Sequence, residues 1–592
     1  MKMRRFVTCL LVIVVCTAFT TARPASGERL TEPLGRGLVA LRQQAGAYVG
    51  WRLLKSDSDD VAFNVYRRPQ DGQWQRLNEK PLRQTTDYVD ETAESGKTYE
   101  YQVRPLVDGE ERSGSGAAPL RSGGSGEPHV RVPLKGNYAF QKVGIGDLNG
   151  DGRYDYVIKQ PNTNIDPWHK YWKASEDTYK VEAYLHDGTF LWRKDLGWAI
   201  ERGIWYSPML VYDFNGDGSA EVALKTGKGD PRIKAEEPEA PPFRVKGDDV
   251  DYKGRVMSGP EYVSVLDGMT GETIARADWP SRDGFASYNR FSRNQMCAAY
   301  VDGETPHLIV ERGTYGIIKL DAWRMRDGEL HRAWRWDNRN EPDRYRGQGA
   351  HSMHAVDIDD DHRDEVFIGS AVVDDNGDSL WSTGLGHPDH HYVSDIIPDR
   401  PGLEVYYGIE PGHSENAMCV VDAGTGNILW GLDERTWHVH SSGLCSDIIA
   451  EHKGMECYAI DRENPDGRVA RLFSARGELI SQRDMGFRPR AVHWDADPQR
   501  ELLLNGRLQG YHGQKHSQKI EGEFVASADV LGDWREELIT TVPGELRIYT
   551  TTIPARDRRV CLMQDPLYRL DVAVAAMGYS QVPMTSYWMA GG

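Results

Sequence analysis

The sequence predicts an all-β chain: an eight-bladed β-propeller preceded by a small β-sandwich. Three observations carry this. A short acidic loop followed by an apolar run recurs eight times, a Gly-containing hairpin turn recurs between the copies, and the region ahead of them alternates apolar and polar residues in short runs.

From the N-terminus, Lys2, Arg4 and Arg5 precede an apolar stretch from Phe6 to Ala18 and small residues at Ala22, Ala25 and Ser26. This is the order of an export signal, so 1–26 is read as a signal peptide and the protein as secreted or periplasmic. The stretch is too short to span a bilayer comfortably, and no other segment is apolar enough for membrane insertion. Removing Lys2, Arg4, Arg5 and Arg23 takes the formal charge from −18 to −22, which excludes nucleic-acid binding by general electrostatics. Five cysteines remain after Cys9 and Cys16, an odd and sparse set that reads as mostly buried thiols with at most one bridge.

Residues 28–120 form the sandwich. The runs AYVGW from Ala47, AFNVYR from Ala62 and YEYQV from Tyr99 alternate and are separated by turns, a pattern that resembles a fibronectin type III module. A Gly/Ser segment, 121–127, reads as a linker. Everything from 128 to 592 is assigned to the propeller.

The acidic repeat is clearest in DLNGDGRYDYVI from Asp147, DFNGDGSAEVAL from Asp213 and DIDDDHRDEVFI from Asp357. Oxygen-bearing side chains fall at positions one, three, five and nine: Asp147, Asn149, Asp151 and Asp155; Asp213, Asn215, Asp217 and Glu221; Asp357, Asp359, Asp361 and Glu365. Alternate oxygen donors on a Gly-rich loop are what a hard cation such as calcium requires. Each loop leads into a strand-forming run, not the helix of an EF-hand. Weaker copies begin at Asp302, Asp395, Asp447, Asp495 and Asp529, the last offering Asp529, Asp533 and Glu537. Turns at HDGTF, LDGMTGET, RDGEL, VDAGTGN and SARGE supply a hairpin between copies. One loop plus one hairpin makes a four-stranded blade, and several calcium ions are expected.

The order sandwich, DLNGDGRYDYVIK, YDFNGDGSAEVALKTGKGD, GAHSMHAVDIDDDHRDEV, STGLGHPDHHYVSD, ADVLGDWREELI and QDPLYRLDVAVAAMGYSQVP resembles the rhamnogalacturonan lyases of polysaccharide lyase family 11. The resemblance implies an eight-bladed propeller, several bound calcium ions and β-elimination on the rhamnose–galacturonate backbone of pectin, hence an anionic polysaccharide as partner. The chain is read as a monomer. Such a reaction removes the C5 proton of a uronate, stabilises the resulting charge and expels the O4 substituent.

The candidates for that chemistry are irregular polar residues in loops at the propeller's centre: Lys159, His351, Arg507, Tyr568 and Tyr579 as catalytic groups, Asn162, Asn164 and Asn505 as substrate contacts, and His387 with Asp389 as metal ligands. Each has a plain alternative. The histidines could be structural hydrogen bonders, Asp389 a turn cap, Arg507 a surface residue, and the tyrosines part of the core where the last strand seals the ring. Calcium prefers oxygen, so contact with imidazole favours a transition metal. Lys159 or a histidine is a better proton acceptor than Arg507. Three segments depart from the family pattern: 204–206, 312–317 and 437–443, the last reading WHVHSSG without the expected arginine. A lyase for another rhamnose- and uronate-containing glycan, a non-catalytic carbohydrate-binding propeller and a glycoside hydrolase are the alternative functions.

Overall fold

The computed structural model describes residues 29–69, 72–121, 128–232, 252 and 254–591. The export segment 1–26 and linker residues 122–127 lie outside the described residues.

The chain is all-β, with eight successive antiparallel sheets behind an N-terminal pair of small sheets. In the N-terminal unit, Tyr99–Val107 alternates buried and half-buried residues along its length, and Trp51, Phe63, Val65, Tyr101 and Val103 close the core between the two sheets. Period-two burial is what a strand with one face on a core shows.

The first of the eight sheets runs Lys142–Gly146, Asp155–Gln160, Lys180–Tyr184 and Phe190–Asp195, each strand pairing with the next in sequence. Five of the others repeat this four-stranded order, the seventh has three strands, Ala491–Val492, Glu501–Leu504 and Arg507–Gln509, and the eighth has three successive strands and a fourth from elsewhere in the chain. The inner strands are buried on both faces, as in Lys142–Gly146, Asp155–Gln160 and Met209–Tyr212, whereas outermost strands such as Thr273–Asp278 and Glu329–Asp337 are largely exposed. Between the first two sheets the approach is so close that a Cβ on Gly146 would lie 2.6 Å from Val211 Cγ1 and 2.8 Å from Ala220 Cβ. Only glycine fits there.

The innermost strands of the first five sheets pack side by side, and that of the first sheet also packs against that of the eighth. The eighth sheet is completed from the N-terminal side: His129–Pro133 joins it as its fourth strand, with Glu545 opposite Pro133 and Tyr549 opposite His129. The chain's last strand, Glu545–Tyr549, thus pairs with a strand from the start of this region, and Tyr568 and Tyr579, expected in the strand that seals the ring, lie beyond it. After it comes a helix, Pro566–Val574, whose residues beyond Pro566 are all buried against the innermost strands of the first four sheets. Pro566 opens it and the Asp565 side chain accepts from Tyr568 N–H, a standard helix start.

The acidic repeats all connect the first strand of a sheet to its second, so they share one end of the assembly. Their recurrence has a backbone cause. Asp147 accepts from Gly150 and Gly152 N–H at 2.8 and 2.6 Å, Asp213 from Gly216 and Gly218 at 2.7 and 2.9 Å, and Asp357 from Asp360 and His362 at 2.8 and 2.9 Å. The ninth-position acid accepts from the second residue of its own loop: Asp155 from Leu148, Glu221 from Phe214, Glu365 from Ile358 and Glu537 from Val530; in the weaker copies Glu456 accepts from Ile448 and Glu501 from Trp494, just ahead of its loop. Positions four and six are left-handed, at glycines in the first two loops and at Asp360 (φ 66°) and His362 (φ 71°) in the loop from Asp357.

Candidate functional site

At the end opposite the acidic loops lie the connections between second and third strands and those between sheets. Along Asp155–Gln160 the two ends are separated by four residue steps from Asp155 to Lys159, about 13 Å at strand rise. The helix Pro566–Val574 runs between them. Tyr568 OH donates to Glu536 Oε1 at 2.7 Å and accepts from Asp529 N–H at the acidic-loop end, whereas Tyr579 N–H donates to His351 O at the other. The two tyrosines expected to act together are thus at opposite ends. Tyr568 is a buried structural residue.

His351, His387 and Asp389 do converge. His351 lies on Gly349–Val356 and Asp389 on Pro388–Ser394, and in both strands the pairing register shifts at this point, between Gly349 and His354 and between Pro388 and His390. Such irregularities re-aim side chains at the ends of strands. The ligand atoms of the three residues lie within 4.8 Å of one another, and all three are buried. His387 Nδ1 donates to the Gly349 carbonyl, which leaves Nε2 as the acceptor nitrogen, without a hydrogen bond and 3.3 Å from Glu410 Oε2. Asp389 is fully buried and neither of its oxygens has an aligned hydrogen-bond donor; Oδ1 lies 3.7 Å from His351 Nε2 and Oδ2 lies 3.1 Å from His440 Nδ1. A buried carboxylate in this condition is costly unless a cation joins it.

Glu410, His438 and His440 extend the cluster, with Glu410 Oε1 3.3 Å from His440 Nδ1 and 3.5 Å from His438 Nε2. These three were not expected from sequence, though His-x-His on an extended segment places both imidazoles on one face. Burial holds His351 well below the ordinary imidazole value, reinforced by His387, and burial lowers His387 as well. Both are neutral, as metal ligands must be. His440 is the exception: burial opposes its charge, but the Asp389 and Glu410 carboxylates facing Nδ1 raise it to about 9. Around the histidines stand Trp205 and Tyr579, each 4.8 Å from His351, Tyr315, 4.6 Å from His387, and Phe487, 5.1 Å from His440.

The donor set fits a divalent cation, with His351, His387, Asp389 and Glu410 as the ligands. Its nitrogen content suits a softer ion than the all-oxygen loops do. In those loops the copy from Asp357 brings Asp357, Asp359 and Asp361 within 4.8 Å, and Glu365 does the same with Asp374 and Asp375 while its Oε1 has no partner. Burial first, and then carboxylate crowding, raises Asp213 to about 6 and Glu221 to about 9, with Glu365 at about 8 for the same reasons. In the first loop Asp147, raised to about 6, and Asp155 face inward while Asn149 and Asp151 are exposed. The eighth loop is different and corrects the expectation for it. Asp533 pairs with Arg535 at 2.6 Å, both buried, Asp529 accepts from Leu562 N–H, and Glu537 accepts from Val530 and Leu531 N–H. A guanidinium neutralises the carboxylate assigned to a metal.

Other expected residues are also placed. Lys159 is fully buried, donates to Ser207 O at 2.8 Å and lies 5.6 Å from the Tyr179 ring; burial lowers it to about 7, but no face of it reaches solvent. It is removed from the catalytic set. Asn505 and Gly506, both with positive φ, form the two-residue turn between Leu504 and Arg507, which accounts for that asparagine without substrate. Arg507, Asn162 and Asn164 are exposed at the site end, Asn162 donating to Glu523 and Asn164 accepting from Ile204 N–H.

A family model described as rhamnogalacturonan lyase family 11, C-terminal domain, matches residues 132–592, and one described as rhamnogalacturonan I lyases beta-sheet domain matches 29–119. The rhamnogalacturonan endolyase YesW of Bacillus subtilis (strain 168) is 35% identical over 634 residues, covering 100% of this chain and 96% of the relative; its crystal structure has a TM-score of 0.82. The rhamnogalacturonan exolyase YesX of the same organism is 35% identical, covering 95% and 96%, with a TM-score of 0.83 for its structure. The Bacillus licheniformis rhamnogalacturonan lyase PL11 is 33% identical, covers 96% and 98%, and has a TM-score of 0.83.

Proposed function

The chain belongs to rhamnogalacturonan lyase family 11 and is a rhamnogalacturonan lyase, and from that premise we propose that it breaks the rhamnose–galacturonate backbone of rhamnogalacturonan I by β-elimination at the His351–His387–Asp389 cluster. The observation that carries this is the buried Asp389 carboxylate, which has no aligned hydrogen-bond donor and stands beside the neutral imidazoles of His351 and His387, with the raised His440 at its other oxygen. We read the eight sheets as an eight-bladed propeller around the helix Pro566–Val574, and the N-terminal unit, about 28–120, as a fibronectin type III-like sandwich docked at the acidic-loop end. There Gly532 N–H donates to Gly37 O, and Gly35 N–H donates to Gly152 O. Export through the 1–26 segment, a monomeric state and calcium in the acidic loops belong to the same reading.

His351, His387, Asp389 and Glu410 would hold a divalent cation. Bound there, it supplies positive charge to the uronate carboxylate, which acidifies the C5 proton. The residues do the rest. His440 Nδ1 faces Asp389 and Glu410, so its ring is oriented and Nε2 is left to accept the C5 proton, as in other histidine–carboxylate pairs. Its side chain is 19% exposed, unlike Lys159, and it occupies the segment lacking the arginine seen in the family pattern. Tyr315 and Tyr579 wall the site with partly exposed rings on which a sugar can stack.

The test is ultraviolet absorbance of the unsaturated uronate product on rhamnogalacturonan I, for the wild type and His440→Gln, across pH. A base must be deprotonated to act, so wild-type kcat/KM is expected to rise with pH through an apparent pKa no higher than about 9. The variant is expected to lose most turnover and that rising limb. A variant with the wild-type profile removes His440 from the mechanism, and a wild type producing no unsaturated product overturns the substrate or reaction assignment.

A further inference from the structure

Two arginines border the histidine cluster without a carboxylate of their own. Arg290, in the short helix Tyr288–Phe291 leading into the third sheet, has its guanidinium carbon 4.1 Å from the Tyr315 centroid, and Tyr315 lies 4.6 Å from His387 and 5.9 Å from His351. Arg488, in the segment leading into the seventh sheet, lies 5.7 Å from the Tyr579 centroid and 5.9 Å from that of Phe487, rings that touch His351 and His440 respectively. Both arginines are exposed, and among the described residues neither has a carboxylate within ion-pairing distance. The contrast with Arg293 is direct. That side chain is 5% exposed and donates to Asp166 Oδ1 at 2.9 Å and to Asn289 Oδ1 at 3.1 Å, so its charge is already committed.

The third and seventh sheets are four apart in a cycle of eight, which places the two guanidiniums on opposite sides of the cluster. An alternating rhamnose–galacturonate chain carries a carboxylate on every second sugar. With one galacturonate at the reacting position, the next acidic sugars lie on either side of it. Stacked guanidiniums with open edges are suited to carboxylates. On the lyase and propeller reading above, we propose that Arg290 and Arg488 bind the galacturonate carboxylates flanking the reacting sugar, one on each side, so that the site reads the charge spacing of the polymer as well as the sugar it cleaves.

The experiment uses the full metal-loaded chain, with Arg290→Gln, Arg488→Gln and the corresponding lysine variants, on rhamnogalacturonan and on a series of its oligosaccharides of increasing length. Each glutamine variant is expected to raise KM on the polymer roughly tenfold or more, with kcat little changed. The penalty should vanish on oligosaccharides too short to reach that side, and lysine should recover part of the affinity in a salt-sensitive way. A penalty independent of length, a loss confined to kcat, or no change overturns the proposal. Calorimetric binding of the same ligands separates the two readings. Binding that depends on the arginines without cleavage sinks the lyase mechanism alone, whereas cleavage with binding unchanged in the variants sinks the arginine assignment alone.

Discussion

Glu221→Gln distinguishes a calcium loop from a loop that is merely capped by its acid. Glu221 is 4% exposed; its Oε2 accepts from Phe214 N–H at 2.8 Å and its Oε1 from Asn215 Nδ2 at 2.7 Å. Glutamine keeps the shape and can keep the backbone bond, so the substitution removes charge and little else. Burial, with Asp213 and Asp217 nearby, raises the Glu221 carboxyl to about 9 from 4.5. The metal-free native state therefore binds a proton that the unfolded chain releases, and stability falls as pH climbs from about 4.5 to about 9. At pH 7 the span already crossed is about 2.5 units, or about 3 kcal/mol at about 1.4 kcal/mol per unit, an upper figure because neighbouring acids titrate together.

In a chelator at pH 7, Glu221→Gln should raise the denaturant midpoint, by up to that amount, and at pH 4 it should do almost nothing. In saturating calcium the sign reverses. The carboxylate is then a ligand, and a cation at about a hundred times its Kd adds about 2.7 kcal/mol to the wild type that glutamine largely forfeits. The measurement is urea denaturation of the full chain at three pH values with and without calcium. A variant equally destabilised under all conditions would refute the reasoning and leave Glu221 as a backbone acceptor only.

Three further outcomes are expected. Asp389→Asn should lower kcat/KM by more than the roughly 10- to 100-fold typical of residues that only support a metal site, with circular dichroism unchanged; near-normal activity excludes Asp389 as a ligand. Gly152→Ala should cost at least about 2 kcal/mol by denaturation, because φ is 80° and the new Cβ would lie 2.5 Å from Gly35 N, while His362→Ala at the same position of the loop from Asp357 should be nearly neutral. Cys445 and Cys457 sit directly opposite on paired strands with sulfurs 4.0 Å apart, so protein exported through an oxidising compartment should show three reactive thiols after denaturation; five would count against that route or that pair.

The acidic repeat was legible because its cause is local. An acid that bonds a backbone amide seven residues earlier, and a left-handed position that selects glycine, leave the same letters each time. The helix Pro566–Val574 was not legible. It is buried all round, so it has no polar stripe to betray a 3.6-residue period, and its valines read as strand. Missing it put Tyr568 and Tyr579 in one place. His351, His387 and Asp389 were found because they stand in Gly-rich turns, but their convergence with Glu410 and His440 depends on the order of sheets, which no single segment records. Lys159 was misjudged for the opposite reason: its neighbours Val157 and Ile158 announce a buried strand, and the lysine is buried with them.

The two ends of the molecule solve the same electrostatic problem in different ways. At the acidic-loop end of the eighth sheet, Arg535 answers Asp533; in the N-terminal strap, Glu32 answers Arg569 of the central helix at 2.5 Å. At the site end, His351 Nδ1, His387 Nε2, both Asp389 oxygens and His440 Nδ1 are buried without aligned partners. Each such group costs about 1–3 kcal/mol, a burden a fold keeps only where binding relieves it. A ligand that relieves it must stabilise the fold by the same interactions. Chelation should therefore lower the wild-type midpoint more than that of Asp389→Ala, which has less to lose. Equal shifts in the two proteins would place all the stabilising metal in the acidic loops and none among the histidines.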